Sequence, residues 1–128
     1  MAGALTIDTL NASSGPLSTN NGMTGIAKAW VKYSGTTQTI LGSYNVSSVT
    51  RTGVGVYIIN FTTSMPNANY SASANSTQGD TLGVGDLSQF VRLTTNNYTA
   101  SGLKVGVVNS FDTAFTDSTL LTAVIFSS

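Results

Sequence analysis

A serine nucleophile needs a base to take its proton, and this chain of 128 residues has no histidine to serve. It has no cysteine either, so it offers no thiol nucleophile and no thiolate ligand for zinc. The carboxylates are five aspartates, Asp8, Asp80, Asp86, Asp112 and Asp117, with no glutamate beside them. Paired carboxylates cleave glycosidic bonds when they face each other across the substrate. Asp80 and Asp86 flank a glycine-containing stretch, and Asp112 and Asp117 flank Phe115, but spacing along a chain does not make two groups face. A loop aspartate ordinarily bonds its own backbone, so these four read as turn residues. Lys28, Lys32 or Lys104 could deprotonate a serine, yet no motif sets a serine beside any of them. Gly53-Val54-Gly55 precedes no helix that would receive a phosphate, and it reads as a β turn. The stretch from Asp80 to Asp86 lacks the closing glutamate of a calcium loop. Asn-x-Ser/Thr triplets at Asn45, Asn60 and Asn69 are expected by chance in this composition. No catalytic residue, no cofactor and no metal site is assigned, and no enzymatic function is expected.

The elements that would position side chains are strands. Ser, Thr and Asn make up over a third of the chain, while the helix-favouring charged residues are scarce. Five basic residues balance the five aspartates, so the net charge is zero. That leaves no electrostatic footprint for nucleic acid and no basic patch for an anionic membrane. A neutral surface guards poorly against association, which suits a protein that works inside an assembly. Without cysteine, stability is expected from packing and from contacts between chains. The opening MAGALTIDTL has no basic region and no long apolar run, so it does not read as a signal peptide, and no stretch has the length of a membrane span.

The strongest β signal runs from Tyr44 to Ser76. Val54, Val56 and Ile58 alternate with Tyr57, Ile59 and Phe61, which predicts a strand inside a sheet and covered on both faces. Gly53 and Gly55 bracket the turn before it. Pro66 cannot donate to a ladder, so Ser64 to Asn69 reads as a hairpin connection, with Asn69 to Ser76 the returning strand. Upstream, Ile26 to Tyr33 forms a first core strand with Ala27, Ala29, Val31 and Tyr33 on the core face. Trp30 falls on the other face between Lys28 and Lys32, shielded by lysine stems or packed against a neighbouring subunit or the N-terminal segment. Downstream, 78–86 reads as a loop, 87–94 and 103–109 as strands, 110–118 as a loop, and Leu120 to Phe126 as a closing strand buried on both faces. The first 25 residues include a short alternating segment at 4–10 and a stretch rich in Ser, Asn, Gly and Thr. Leu5, Ile7, Leu10, Leu17 and Met23 give this segment apolar contacts that a floppy tail would lack, so it is expected to act as an extended arm that docks on a partner. The expectation is an all-β fold: an antiparallel β-sandwich of jelly-roll-like type at 26–128, with an extended N-terminal arm at 1–25.

The runs AKAWVKYSG and SYNVSSVTRTGVGVYIINFTTSMPNANYS resemble a family of small β proteins encoded by bacteriophages and assigned to tail fibres or to virion structure. Trp30, Asn45, Val46, Tyr57, Asn60, Phe61, Pro66, Asn69 and Tyr70 carry the resemblance, which covers about 26–76. It implies a folding pattern and brings no catalytic residue. It also implies a virion exterior location, homotrimeric assembly and other phage virion proteins as partners, with a host cell-surface glycan as a further candidate. Leu5, Ile7, Leu10, Leu17, Met23 and Trp30 are the expected anchor and assembly residues. A tail-fibre or host-contact domain is expected, with capsid decoration as the alternative within that class. A free carbohydrate-binding module is the alternative from another class.

Overall fold

The computed structural model describes residues 3, 9–12, 15–18, 26–78, 89–109 and 114–127. Within them the chain is an antiparallel β-sandwich. One sheet contains β3 (Ala29–Ser34), β4 (Thr39–Tyr44), β7 (Ser71–Thr77) and β11 (Leu120–Phe126), in the order β4-β3-β11-β7. The other contains β5 (Val46–Gly53), β6 (Val56–Phe61), β8 (Phe90–Arg92) and β10 (Gly102–Val108), in the order β5-β6-β10-β8. The short β9 (Tyr98–Thr99) also pairs with β10. Three hairpins, β3–β4, β5–β6 and β9–β10, stay within their sheets, and four connections pass from one sheet to the other. A separate hairpin pairs β1 (Thr9–Ala12) with β2 (Gly15–Ser18), so the N-terminal arm contains a two-stranded ladder where a linker was expected.

The core follows the alternation of the strands. Ala29, Val31 and Tyr33 of β3 meet Tyr57, Ile59 and Phe61 of β6, Leu103, Val105 and Val107 of β10, and Leu121, Ala123 and Ile125 of β11. All are buried, and Tyr33 packs edge-on against Tyr57 with ring centroids 5.8 Å apart. The alternation of the first core strand is as expected, although the ladder begins at Ala29.

Two strands differ from expectation in the same way. β6 is central, between β5 and β10, but its second face is half-buried at Val56, Ile58 and Asn60, and Val54 lies exposed in the turn before it. β11 is central between β3 and β7, yet Leu120, Thr122 and Val124 are half-buried and Phe126 is exposed. A two-layer sandwich covers one face of each sheet, so an apolar residue on the other face stays at the surface.

The segment around Pro66 is not a hairpin connection. It carries the chain from β6 in one sheet to β7 at the edge of the other. Met65 and Tyr70 bury their side chains as the two anchors of this crossing. The Met65 amide donates to the Ala100 carbonyl at 2.8 Å, and the Tyr70 hydroxyl donates to the Gly102 carbonyl at 2.9 Å. Between them the Asn67 side chain accepts from the Asn69 amide at 2.7 Å, closing a local turn. The strand expected over 87–94 is seen as β8 at Phe90–Arg92, preceded by a buried Gln89. The loop aspartates Asp80, Asp86 and Asp112 lie outside the described residues.

Candidate interaction surface

The outer face of the β4-β3-β11-β7 sheet carries the chain's exposed aromatic cluster. Register places Tyr44, Trp30, Val124 and Ser73 in one row across the four strands. Residues paired across antiparallel strands project from the same face, about 4.5–5.5 Å apart at their β-carbons. Trp30 is 41 % exposed, Tyr44 58 % and Phe126 40 %, with Val124 half-buried among them. Ile26, just before β3, is also exposed. The indole has room because its neighbour on β4 is glycine: a β-carbon on Gly42 would sit 3.4 Å from Cη2 and Cζ3 of Trp30. With 41 % of its surface open, Trp30 is left only partly covered by its own chain.

An open groove of about 520 Å³ adjoins this cluster at the end of the sandwich where Lys28, Asn45 and Ser127 lie. Tyr44, Thr62, Thr63, Ser64, Met65 and Pro66 complete its lining. Asn45 builds its floor. It is the one residue between β4 and β5, and it turns the chain from one sheet to the other with φ of 55°. That left-handed conformation suits asparagine. Its Nδ2 donates to the Lys28 and Thr63 carbonyls, each at 3.0 Å, and its Oδ1 accepts from the Thr63 amide at 2.7 Å. Three chain segments are therefore tied to one side chain.

The opposite end is tied by Asp117. Its Oδ1 accepts from Arg51 Nε and the Gly55 amide, both at 2.9 Å, and from the Tyr57 hydroxyl at 3.1 Å. Its Oδ2 accepts from Arg51 Nη2 at 2.8 Å. The Arg51 guanidinium, then the Gly55 and Tyr57 donors, hold this carboxyl well below the usual carboxylate range. Burial, with the Asp117 contact adding to it, pushes the Tyr57 hydroxyl up. Gly55 has φ of 65°, and a β-carbon there would lie 2.5 Å from the Val107 carbonyl oxygen, so glycine is required at this turn. Buried Ser118 and Gln89 extend the network: the Ser118 amide donates to the Tyr57 oxygen, and the Gln89 amide donates to the Asp117 carbonyl. A carboxylate that takes four hydrogen bonds from Arg51, Gly55 and Tyr57 braces this end of the sandwich. The groove beside it, about 530 Å³, is lined by Arg51, Asp117 and the Gly35–Gln38 turn.

Among the expected assembly residues, Trp30 lies on the exposed face. Leu10 and Leu17 are register partners in the N-terminal hairpin. Leu5, Ile7 and Met23 lie outside the described residues. Tyr44 and Phe126 join the surface without having been expected there. Phe126 has the signal in the alternation of β11, where Leu121, Ala123 and Ile125 take the core and Phe126 falls on the other parity. Among the described residues, no helix is long and apolar enough to cross a membrane. Comparison with protein-family models, with curated proteins and with solved structures finds no match to this chain. What fold and surface together define is an all-β antiparallel sandwich braced at both ends, with an aromatic cluster on one outer face.

Proposed function

We propose that this chain is a structural protein of a bacteriophage virion, a small β domain that assembles as a homotrimer at a tail fibre or other host-contact structure. The observation that carries the reading is the outer face with Trp30, Tyr44, Phe126 and Val124. Aromatic side chains of this kind are enriched where protein surfaces meet. The resemblance over 26–76 supports the virion assignment. Its residues serve the fold: Asn45 ties the sheet crossing, Tyr70 anchors the β6–β7 connection, and Tyr57 joins the Asp117 brace. The test is the number and position of copies on intact particles, paired with light scattering on the purified protein. Copies in threes at the tail tip or fibres are expected. Copies at capsid threefold positions would move the assignment to capsid decoration, and particles without the protein would overturn it.

A second reading is favoured by the groove. Tyr44 stands at its lip, with Trp30 in the adjacent register position and Thr62, Thr63 and Ser64 along its wall. A sugar ring stacks on an aromatic face and bonds nearby hydroxyls and amides. Titration of tryptophan fluorescence with host cell-surface glycan tests this reading. A saturable change lost in Tyr44→Ala supports glycan contact, and no change at millimolar glycan removes it.

A further inference from the structure

The sandwich has four sheet edges, and three of them carry devices that block the addition of another strand. β4 has a register shift opposite Lys32 and Tyr33, where Leu41 is left over. β5 has two register shifts and carries Arg51. β8 is three residues long and ends in Arg92. β7 differs. It runs for seven residues, SASANST, in unbroken register with β11, and it contains no charge, no proline and no bulge. Among the described strands only β11 pairs with it.

The N-terminal hairpin supplies a matching open edge. In β2, Pro16 lacks an amide hydrogen, and proline within a sheet belongs on an outermost strand. β1, TLNA, has no such block on its free side. A two-stranded hairpin is marginal alone and gains stability by joining a larger sheet. Seven residues, 19–25, connect it to Ile26. Extended, they reach about 25 Å, against about 20 Å for the four strand spacings from β3 to a β2 lying outside β1 at the β7 edge. The tether would thus permit a contact within the chain, yet β1 and β2 form a sheet of their own.

We propose that β1 of one copy adds to the β7 edge of the next, so that the sheet continues across the subunit boundary as β4-β3-β11-β7-β1-β2. This deepens the assembly reading above and rests on it. A head-to-tail contact of this kind gives a ring when the rotation between copies closes, and closure at three copies is the proposed trimer. Strand addition of this type takes its affinity from main-chain bonds, which suits an edge made of Ser, Ala, Asn and Thr.

The experiment is light scattering on three proteins: the full chain, the full chain with Asn75→Lys and Thr77→Lys, and the chain lacking residues 1–18. Asn75 and Thr77 are exposed and lie away from the Trp30 row, so lysine there guards the edge and leaves both the core and the aromatic face untouched. The full chain is expected as an oligomer and both variants as monomers, each with a cooperative melt. An equimolar mixture of the two variants is expected to give a two-chain species, since one retains the arm and the other the open edge. An oligomer that persists in either variant overturns the strand exchange and leaves the assembly reading intact. A full chain that is monomeric overturns the assembly reading itself. Should the lysine variant fail to fold, the deleted chain decides alone, and its remaining oligomeric is the contrary result.

Discussion

On the outer face of the β5-β6-β10-β8 sheet, Asn60 donates from its side-chain amide to Ser48 Oγ at 3.0 Å and Thr50 Oγ1 at 3.1 Å. Ile58 lies in register between Thr50 and Lys104, and the Phe115 ring lies over Gly106, 2.9 Å from where a β-carbon would be. On the outer face of the β4-β3-β11-β7 sheet, the row from Tyr44 through Trp30 to Val124 has no such polar dressing, and two of its three side chains are exposed. The two sheets share the same core and alternation. They differ in what finishes the surface: one closes hydrogen bonds across its strands and exposes the single ring of Phe115, while the other presents three rings, Trp30, Tyr44 and Phe126. The lesson is that a central strand with two apolar faces does not imply two covered faces within a single chain. Under the assembly proposed above, its second face is where another chain packs.

The largest effect should come from the strand that both faces of the second sheet share. Deleting Leu120 to Ser128 removes the centre of that sheet, including the buried Leu121 and Ile125. Burial of each such side chain contributes about 1.5–3 kcal/mol, and a domain has about 5–15 kcal/mol in all. No soluble folded product is expected, and native circular dichroism with a cooperative melt would show that the strand is peripheral. Within the strand, Leu121→Ala should cost about 2–5 kcal/mol in a denaturant titration. The same titration on Val124→Ser, three residues along and on the outer face, should stay near 1 kcal/mol or less. Equal costs would erase the difference between the faces.

Acid should loosen the brace end before the crossing end. The Asp117 carboxyl titrates lower in the fold than in the unfolded chain, where the ordinary value is about 3.9. The unfolded state therefore binds the extra proton first, so the stabilisation is present above about pH 4 and is lost as pH falls further. Asn45 holds its end without a titrating group. Melting temperature measured from pH 6 to pH 2 should fall below about pH 4 in the parent and fall less in Asp117→Asn. Parallel curves would show that other groups govern the acid limb.

A smaller effect separates the polar dressing from the aromatic row. Asn60→Ala removes two side-chain hydrogen bonds on an exposed face and should cost about 0.5–1.5 kcal/mol in a thermal or urea melt. Its oligomeric state should match the parent's. A change of mass in this variant would mean that the Asn60 face takes part in assembly.

Much of the fold was legible because the strands announce themselves by alternation. Ala29, Val31 and Tyr33 against Trp30 and Lys32 is a pattern that only one pleat satisfies. Pro66 was informative about local backbone and silent about destination. Whether a chain returns beside its own strand or crosses to the other sheet depends on where Met65 and Tyr70 find a pocket, and that is set by β10 residues far along the chain. The same reason hid the two hubs. Asp117 reads as a turn residue until Arg51, Gly55 and Tyr57 are brought to it from 60 or more positions away. Trp30 was suspect from its lysine neighbours alone. Alternation puts Phe126 on the outer parity of β11, while Tyr44 joins Trp30 only through register, which sequence spacing does not encode.

The aromatic face is proposed above as a contact between chains. Its most direct test is light scattering, with a thermal melt alongside, on a variant carrying Trp30→Ser, Tyr44→Ser and Phe126→Ser. These side chains are about half exposed, so the single chain should keep its fold and cooperative melt, while the measured mass should drop from that of a trimer to that of one chain. A variant that keeps the parent's mass and its position on the particle would contradict the account, because the face would then be ordinary surface.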